Sequence, residues 1–201
     1  MFSIGFMKAP RLTLLTFLAL LPLLCSPSPA AQCLDHDSLK LSWQAFKTPK
    51  KIAVKGAFQD FTLKKVARDP SMSLKDQISL INLTINPLKL KTGNEARDAN
   101  IKKYFFSDMK PITLKVRKVT KKWIETDIQL GGKKKRVPFS YFAQKNEIEA
   151  HADIDLLDFK LSALLQKINK ACFSMHEGKT WSHVKLSVKA SLSDCSKVFK
   201  E

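Results

Sequence analysis

Glycine is scarce in this 201-residue chain, with 6 copies, and cysteine and histidine, with 4 each, are scarcer. So little glycine excludes a collagen-like repeat, and 13 phenylalanines with a single long apolar run exclude a coiled coil and a multi-pass membrane protein. The histidines His36, His151, His176 and His183 are scattered, and the cysteine spacing matches no metal signature, so no metal site is expected. No serine or cysteine sits in a recognisable nucleophile motif. His151, between Glu149 and Asp153 on a polar strand face, reads as a solvated side chain, so catalysis and a cofactor are not expected either. Acidic residues are also few, 18 against 35 Lys and Arg, which gives a formal charge of +17.

What remains is 44% hydrophobic, a composition that suits one globular domain. The first 31 residues stand apart from it. Lys8 and Arg11 precede the apolar run from Leu12 to Leu24, and the small and proline residues from Ser26 to Ala31 follow. This is the order of a secretory signal, too short to span a bilayer as a helix, with cleavage expected after Ala30 or Ala31. Cys25 follows Leu24 rather than a small residue, which argues against a lipoprotein. The expected mature domain is therefore residues 32–201, exported and periplasmic.

That domain keeps 33 basic and 18 acidic residues, a charge of +15, and only Arg68, Arg97, Arg117 and Arg136 are arginines. Lysine acts as a hydrated point charge, so the composition predicts a diffuse field for anionic partners rather than a carved phosphate site. The Lys133–Arg136 run beside Gly131-Gly132 stands open between a contact for an anionic membrane and a charged hairpin tip. The export route and the few interleaved aromatics exclude nucleic acid.

From Ser38 onward the dominant period is two, the mark of half-buried strands. Eight runs show it, around 39–45, 52–58, 81–85, 112–117, 124–130, 137–143, 148–156 and 184–192. Gly131-Gly132 predicts a hairpin between the fifth and sixth. Asn94–Phe106 is helix-compatible, and Asp158–Phe173 carries Phe159, Leu161, Leu164, Leu165 and Ile168 at helical spacing, with Asp158 as a cap and Gly178 as a stop. The expected fold is all-β: a closed antiparallel barrel of about eight strands, with one inserted helix before the last strand. Its interior is aliphatic and aromatic. Such a lumen is either filled by its own side chains or open to one greasy ligand, since a long alkyl chain gains about 0.8 kcal/mol per buried methylene. Trp43, Val54, Phe58, Ile81, Leu83, Phe106, Leu114, Val116, Phe139, Tyr141, Ile154 and Leu186 are the candidate lumen contacts.

Residues 92–114 read TGNEARDANIKKYFFSDMKPITL. Thr92, Asn94, Arg97, Asp98, Phe105, Phe106, Pro111, Ile112 and Thr113, with Trp43 and the strand Val54–Phe61 upstream, resemble the YceI-like family over about 39–192. Asn100, Ile101, Ser107 and Leu114 depart from that pattern, and the segment around His176–Trp181 resembles a sub-branch. The resemblance implies an exported lipocalin-like barrel holding a polyisoprenoid or similar amphiphile, without catalytic chemistry. The alternative is a filled barrel whose basic surface binds anionic lipid or polymer in the envelope.

Two roles stand open for Arg97 and Asp98: meeting a ligand headgroup at the mouth, or tying the long connection to the barrel. Phe106 is a lumen or core residue, and Phe105 a core one. In a barrel with an even number of strands, the first strand begins and the last ends at one rim. Cys33 and Cys195 are therefore expected to form a disulfide, with Cys172 a buried free thiol near the opposite rim.

Overall fold

The computed structural model describes residues 32–64, 69 and 71–198. The expected signal segment, 1–31, lies outside the described residues. All eight alternating runs form strands, because each carries one apolar face that has only one side on which to be buried. The strands are β1 (Gln32–Leu34), β2 (Lys40–Lys47), β3 (Ile52–Phe58), β4 (Phe61–Leu63), β5 (Asn82–Ile85), β6 (Leu90–Lys91), β7 (Ile112–Val119), β8 (Trp123–Leu130), β9 (Lys133–Gln144), β10 (Glu147–Asp155) and β11 (His183–Asp194). They make one antiparallel sheet in the order β4-β5-β7-β8-β9-β10-β11-β2-β3-β6, with β1 added on β11. The expected eight strands are thus eleven among the described residues, and the three extra ones are short.

The sheet is curled. Its end strands β4 and β6 are held near each other, because β3 runs into β4 after only Gln59 and Asp60. Backbone bonds from Gln59 N to Lys89 O (2.7 Å) and from Asn86 N to Asp60 O (3.0 Å) continue the pairing across that link. Inward residues of the long strands form a continuous core, in which Leu83, Leu90, Ile128 and Phe159 are among the most deeply buried. The β8–β9 hairpin turns on Gly131 and Gly132, whose φ values of 57° and 81° suit a two-residue turn of the primed type.

The helices are α1 (Leu74–Ser79), α2 (Glu95–Ile101), which runs into a π turn over Lys102–Phe106, α3 (Ser162–Ala171), α4 (Phe173–His176) and α5 (Cys195–Val198). Asn94 caps α2 by accepting from Arg97 N at 2.8 Å. The second expected helix is divided. Leu156–Phe159 forms a 3-10 turn capped by Asp155, Lys160 turns left-handed at φ 59°, and α3 begins only at Ser162. Asp158 is therefore not the cap. Beyond α4, Glu177 and Gly178 both take positive φ and end the helical stretch.

Cys33 and Cys195 form a disulfide with Cα atoms 4.8 Å apart, and Cys172 is a buried free thiol. The pairing of β1 with the end of β11, Cys33 opposite Ser193, brings the two half-cystines to the same rim.

A candidate ligand cavity

Register fixes which ends of the strands lie together. The β2–β3 and β8–β9 turns, the connection carrying α2 and the connection carrying α3 and α4 all fall at one end of the curled sheet. Under them lies a cavity of about 430 Å³. Its wall is mainly apolar: Val54, Phe58, Ile112, Leu114, Phe139, Ile154 and Leu186 from the strands, Phe105 and Phe106 from the π turn, and Leu165, Ile168 and Cys172 from α3 and its end. Phe106 meets Phe105 edge-on at 5.0 Å and Phe58 at 6.2 Å, which fixes both rings at the wall.

Trp43 also lines the cavity and sits directly opposite Gly56 in the β2–β3 pair. The indole occupies the space that any larger residue at 56 would take.

Of the candidate contacts, Trp43, Val54, Phe58, Phe106, Leu114, Phe139, Ile154 and Leu186 lie on the cavity wall, and Ile81, Leu83, Val116 and Tyr141 do not. Leu83, Val116 and Tyr141 occupy lower positions on their strands, toward the end that bears the disulfide, and Ile81 lies just before β5. Leu83 and Val116 are packed into solid core, and the Tyr141 hydroxyl donates to Thr120 O at 2.7 Å in the β7–β8 turn. Leu165, Ile168 and Cys172 were not among the candidate contacts, although the apolar stripe of α3 was the signal for them. Ile128, Leu130 and Ile85 share the inward parity of their strands and also line the wall.

Apart from Ser42 and Ser187, paired across β2 and β11, polar groups stand at two places on the wall. At the first, Arg97 donates from Nε to Thr92 Oγ1 (2.8 Å) and from Nη2 to Thr92 O (2.7 Å). Thr92 in turn donates from its N–H to Asp98 Oδ1 (2.9 Å) and from its hydroxyl to the same oxygen. Asp98 is buried and off the cavity, whereas Arg97 lines it beside Asn94 and Asn100. The pair therefore clamps Thr92 and ties the connection, while Arg97 also borders the cavity.

At the second place, Lys47, His176, Thr180 and Trp181 line the cavity beside Met175, and Met175 is 53% exposed, so the cavity reaches the surface here. The Thr180 hydroxyl donates to Asn169 Oδ1 (2.8 Å), so it accepts from His176 Nδ1 (2.7 Å). Burial, and then the Lys47 cation, hold the His176 pKa below its ordinary value, so the ring is neutral with its proton on Nδ1. Burial pushes the Cys172 thiol up, against a smaller opposing effect of Lys47, so it stays protonated and behaves as a small apolar wall group.

The outer face of the sheet carries the charges. Asp127 accepts from Arg136 Nε (3.0 Å) and Arg117 Nε (2.7 Å), and its pKa is lowered chiefly by the Arg136 hydrogen bond. Lys133–Arg136 open strand β9 rather than forming its turn, and all four are exposed.

The sequence model of the YceI-like domain matches residues 34–192. Among solved structures, a polyisoprenoid-binding domain from Saccharophagus degradans implicated in plant cell wall breakdown matches with a TM-score of 0.58 and 13% identity, covering 82% of this chain and 99% of that one. BcnA from Burkholderia cenocepacia matches with a TM-score of 0.53 and 13% identity, covering 80% and 99%. At such identities these likenesses bear on the fold alone. No curated protein matches the chain.

Proposed function

The chain belongs to the YceI-like family, and from that premise we propose that it is an exported carrier that holds one polyisoprenoid or other long-chain amphiphile in its cavity. The observation that carries this reading is the cavity itself. About 430 Å³ falls within the ~300–1,000 Å³ typical of small-ligand sites, and the wall is apolar apart from its two polar places. A sugar or nucleotide would leave most of its polar atoms unpaired against such a wall, whereas each buried methylene contributes about 0.8 kcal/mol and asks for no partner. The relative from Saccharophagus degradans is described as polyisoprenoid-binding, which supports the same ligand class.

On this reading β3 with β4, and β5 with β6, act as two continuous strands, which closes an eight-stranded barrel around the chain. Residues 1–31 are a secretory signal, and the Cys33–Cys195 disulfide is consistent with an oxidising compartment outside the cytoplasm. Arg97, Asn94 and Asn100 at one polar place, and His176 with Lys47 at the other, are the groups available to a headgroup. No step of this function makes or breaks a covalent bond.

Native mass spectrometry of the mature protein from its own periplasm, followed by organic extraction, tests the proposal. The expected result is a bound species of lipid mass, displaced by added isoprenoid quinone and lost in Leu114→Arg or Phe139→Asp. A strictly apo mass with no uptake of added isoprenoid or fatty amide overturns it.

A further inference from the structure

The end of the molecule where the cavity opens differs from the opposite end in two independent ways. The first is charge. The connections at the open end, residues 48–51, 92–111, 131–132 and 156–182, carry 10 Lys or Arg and 5 Asp or Glu. The described ones at the other end, residues 35–39, 64, 69, 71–81, 120–122 and 145–146, carry 5 and 4.

The second is exposed apolar surface. Among the described residues, the four most exposed large apolar side chains, Phe173 (64%), Met175 (53%), Leu157 (52%) and Ile52 (48%), all belong to the open end, while Leu80, Trp123 and Phe142 toward the other end are 42%, 47% and 44% exposed. Phe173 and Met175 are on α4, directly beside the mouth.

Cations and apolar groups are interleaved there. Lys47 Nζ donates to Met175 O at 3.2 Å, and Lys51 lies 5.1 Å from both the Phe46 and Trp181 ring centres. Lys179 lies 4.7 Å from the Trp181 ring. The Phe173 ring stands over Gly178, next to Lys179. A lone apolar patch would suit many partners, but lysines spaced among exposed aromatic and thioether side chains match the interfacial zone of a bilayer. There the cations meet anionic headgroups, and the apolar tips and the indole reach the acyl boundary.

We propose that this end is a docking face for an anionic lipid bilayer, with α4 and the β2–β3 turn entering the interface so that the cavity mouth opens onto the membrane. A hydrophobic chain then passes between bilayer and cavity without crossing water. The inference goes beyond the carrier reading, because docking needs no ligand in the cavity.

The test is co-sedimentation of the mature protein with phosphatidylcholine vesicles that contain or lack phosphatidylglycerol. The expected result is binding only where phosphatidylglycerol is present, weakened by salt. The triple variant Lys50→Glu, Lys51→Glu, Lys179→Glu loses affinity at least about tenfold, since each cation near such a surface contributes roughly 1 kcal/mol. Phe173→Ser, at an exposed site that leaves folding intact, loses affinity several-fold, and Lys121→Glu with Lys122→Glu in the turn at the opposite end has little effect. Equal losses from the two charge-reversed ends, or equal binding to vesicles without phosphatidylglycerol, overturn the docking face. Uptake of an isoprenoid from detergent solution by Phe173→Ser, read by native mass spectrometry, bears on the carrier reading alone.

Discussion

Gly56 lies across the β2–β3 pair from Trp43, and a Cβ placed there would overlap the indole at Cζ2 and Cε2. Gly56→Ala therefore forces the ring toward the cavity or the strands apart. The expected cost is about 1–3 kcal/mol of overpacking, read as a lowered urea midpoint, with reduced capacity for a bound chain. An unchanged midpoint would contradict the contact. His176 makes a pH-dependent prediction. Its folded pKa lies below the ordinary 6.5, so the unfolded chain takes up the proton first on acidification. The stability tied to the neutral ring is complete above about pH 6.5 and is lost as the pH falls from there through the lowered folded value. Asp127 and Glu149 are also lowered, but from 3.8 and 4.5, so their losses belong to more acid solutions. Unfolding curves for His176→Gln are expected to be flatter than wild type just below pH 6.5. Curves that run parallel to wild type there would mean that His176 titrates normally.

At the scale of elements, α3 is the part of the structure with the most to say about cavity size. Its apolar stripe does not pack on solid sheet. Leu165 and Ile168 cover the end of the cavity, and Leu161 packs against Gly131 at the β8–β9 turn. Leu165→Ala is expected to enlarge the cavity, to lower stability by about 2–4 kcal/mol, and to move the retained ligands toward longer or bulkier chains in extracts analysed by mass spectrometry. A ligand profile identical to wild type would place the chain away from α3. The stripe itself was readable from sequence, but what it covers was not, because helical periodicity marks an apolar face without naming its partner. The strands of two or three residues were missed for a related reason: β4 and β6 are too short to show a period. The six-residue α1 likewise has too few turns for a stripe.

For the whole molecule, the disulfide spans 162 residues of chain and fastens β1 to the end of β11. Replacing both Cys33 and Cys195 by Ser is expected to cost roughly 2–5 kcal/mol, the loss typical when a native disulfide is removed. Denaturant curves with and without reductant measure it, and a reductant-insensitive wild type would remove the bridge from the account. The disulfide was legible because it depends on connectivity: Cys33 precedes the first long strand, Cys195 follows the last, and those two strands, β2 and β11, are neighbours. The eight long strands, the Gly131-Gly132 hairpin and the apolar interior were legible too, since alternation of polar and apolar residues states which face of a strand is buried. Alternation does not state height along the barrel. Ile112, Leu114 and Val116 share one inward face, yet the first two border the cavity and the third is solid core, as Phe139 borders it and Tyr141 does not. Sequence by itself thus determined the buried faces of the long strands and the pairing of the cysteines. Only the tertiary structure decided where the interior is empty, because a void depends on how α3 and the π turn of α2 cap one end, and that arises from packing among residues far apart in the chain.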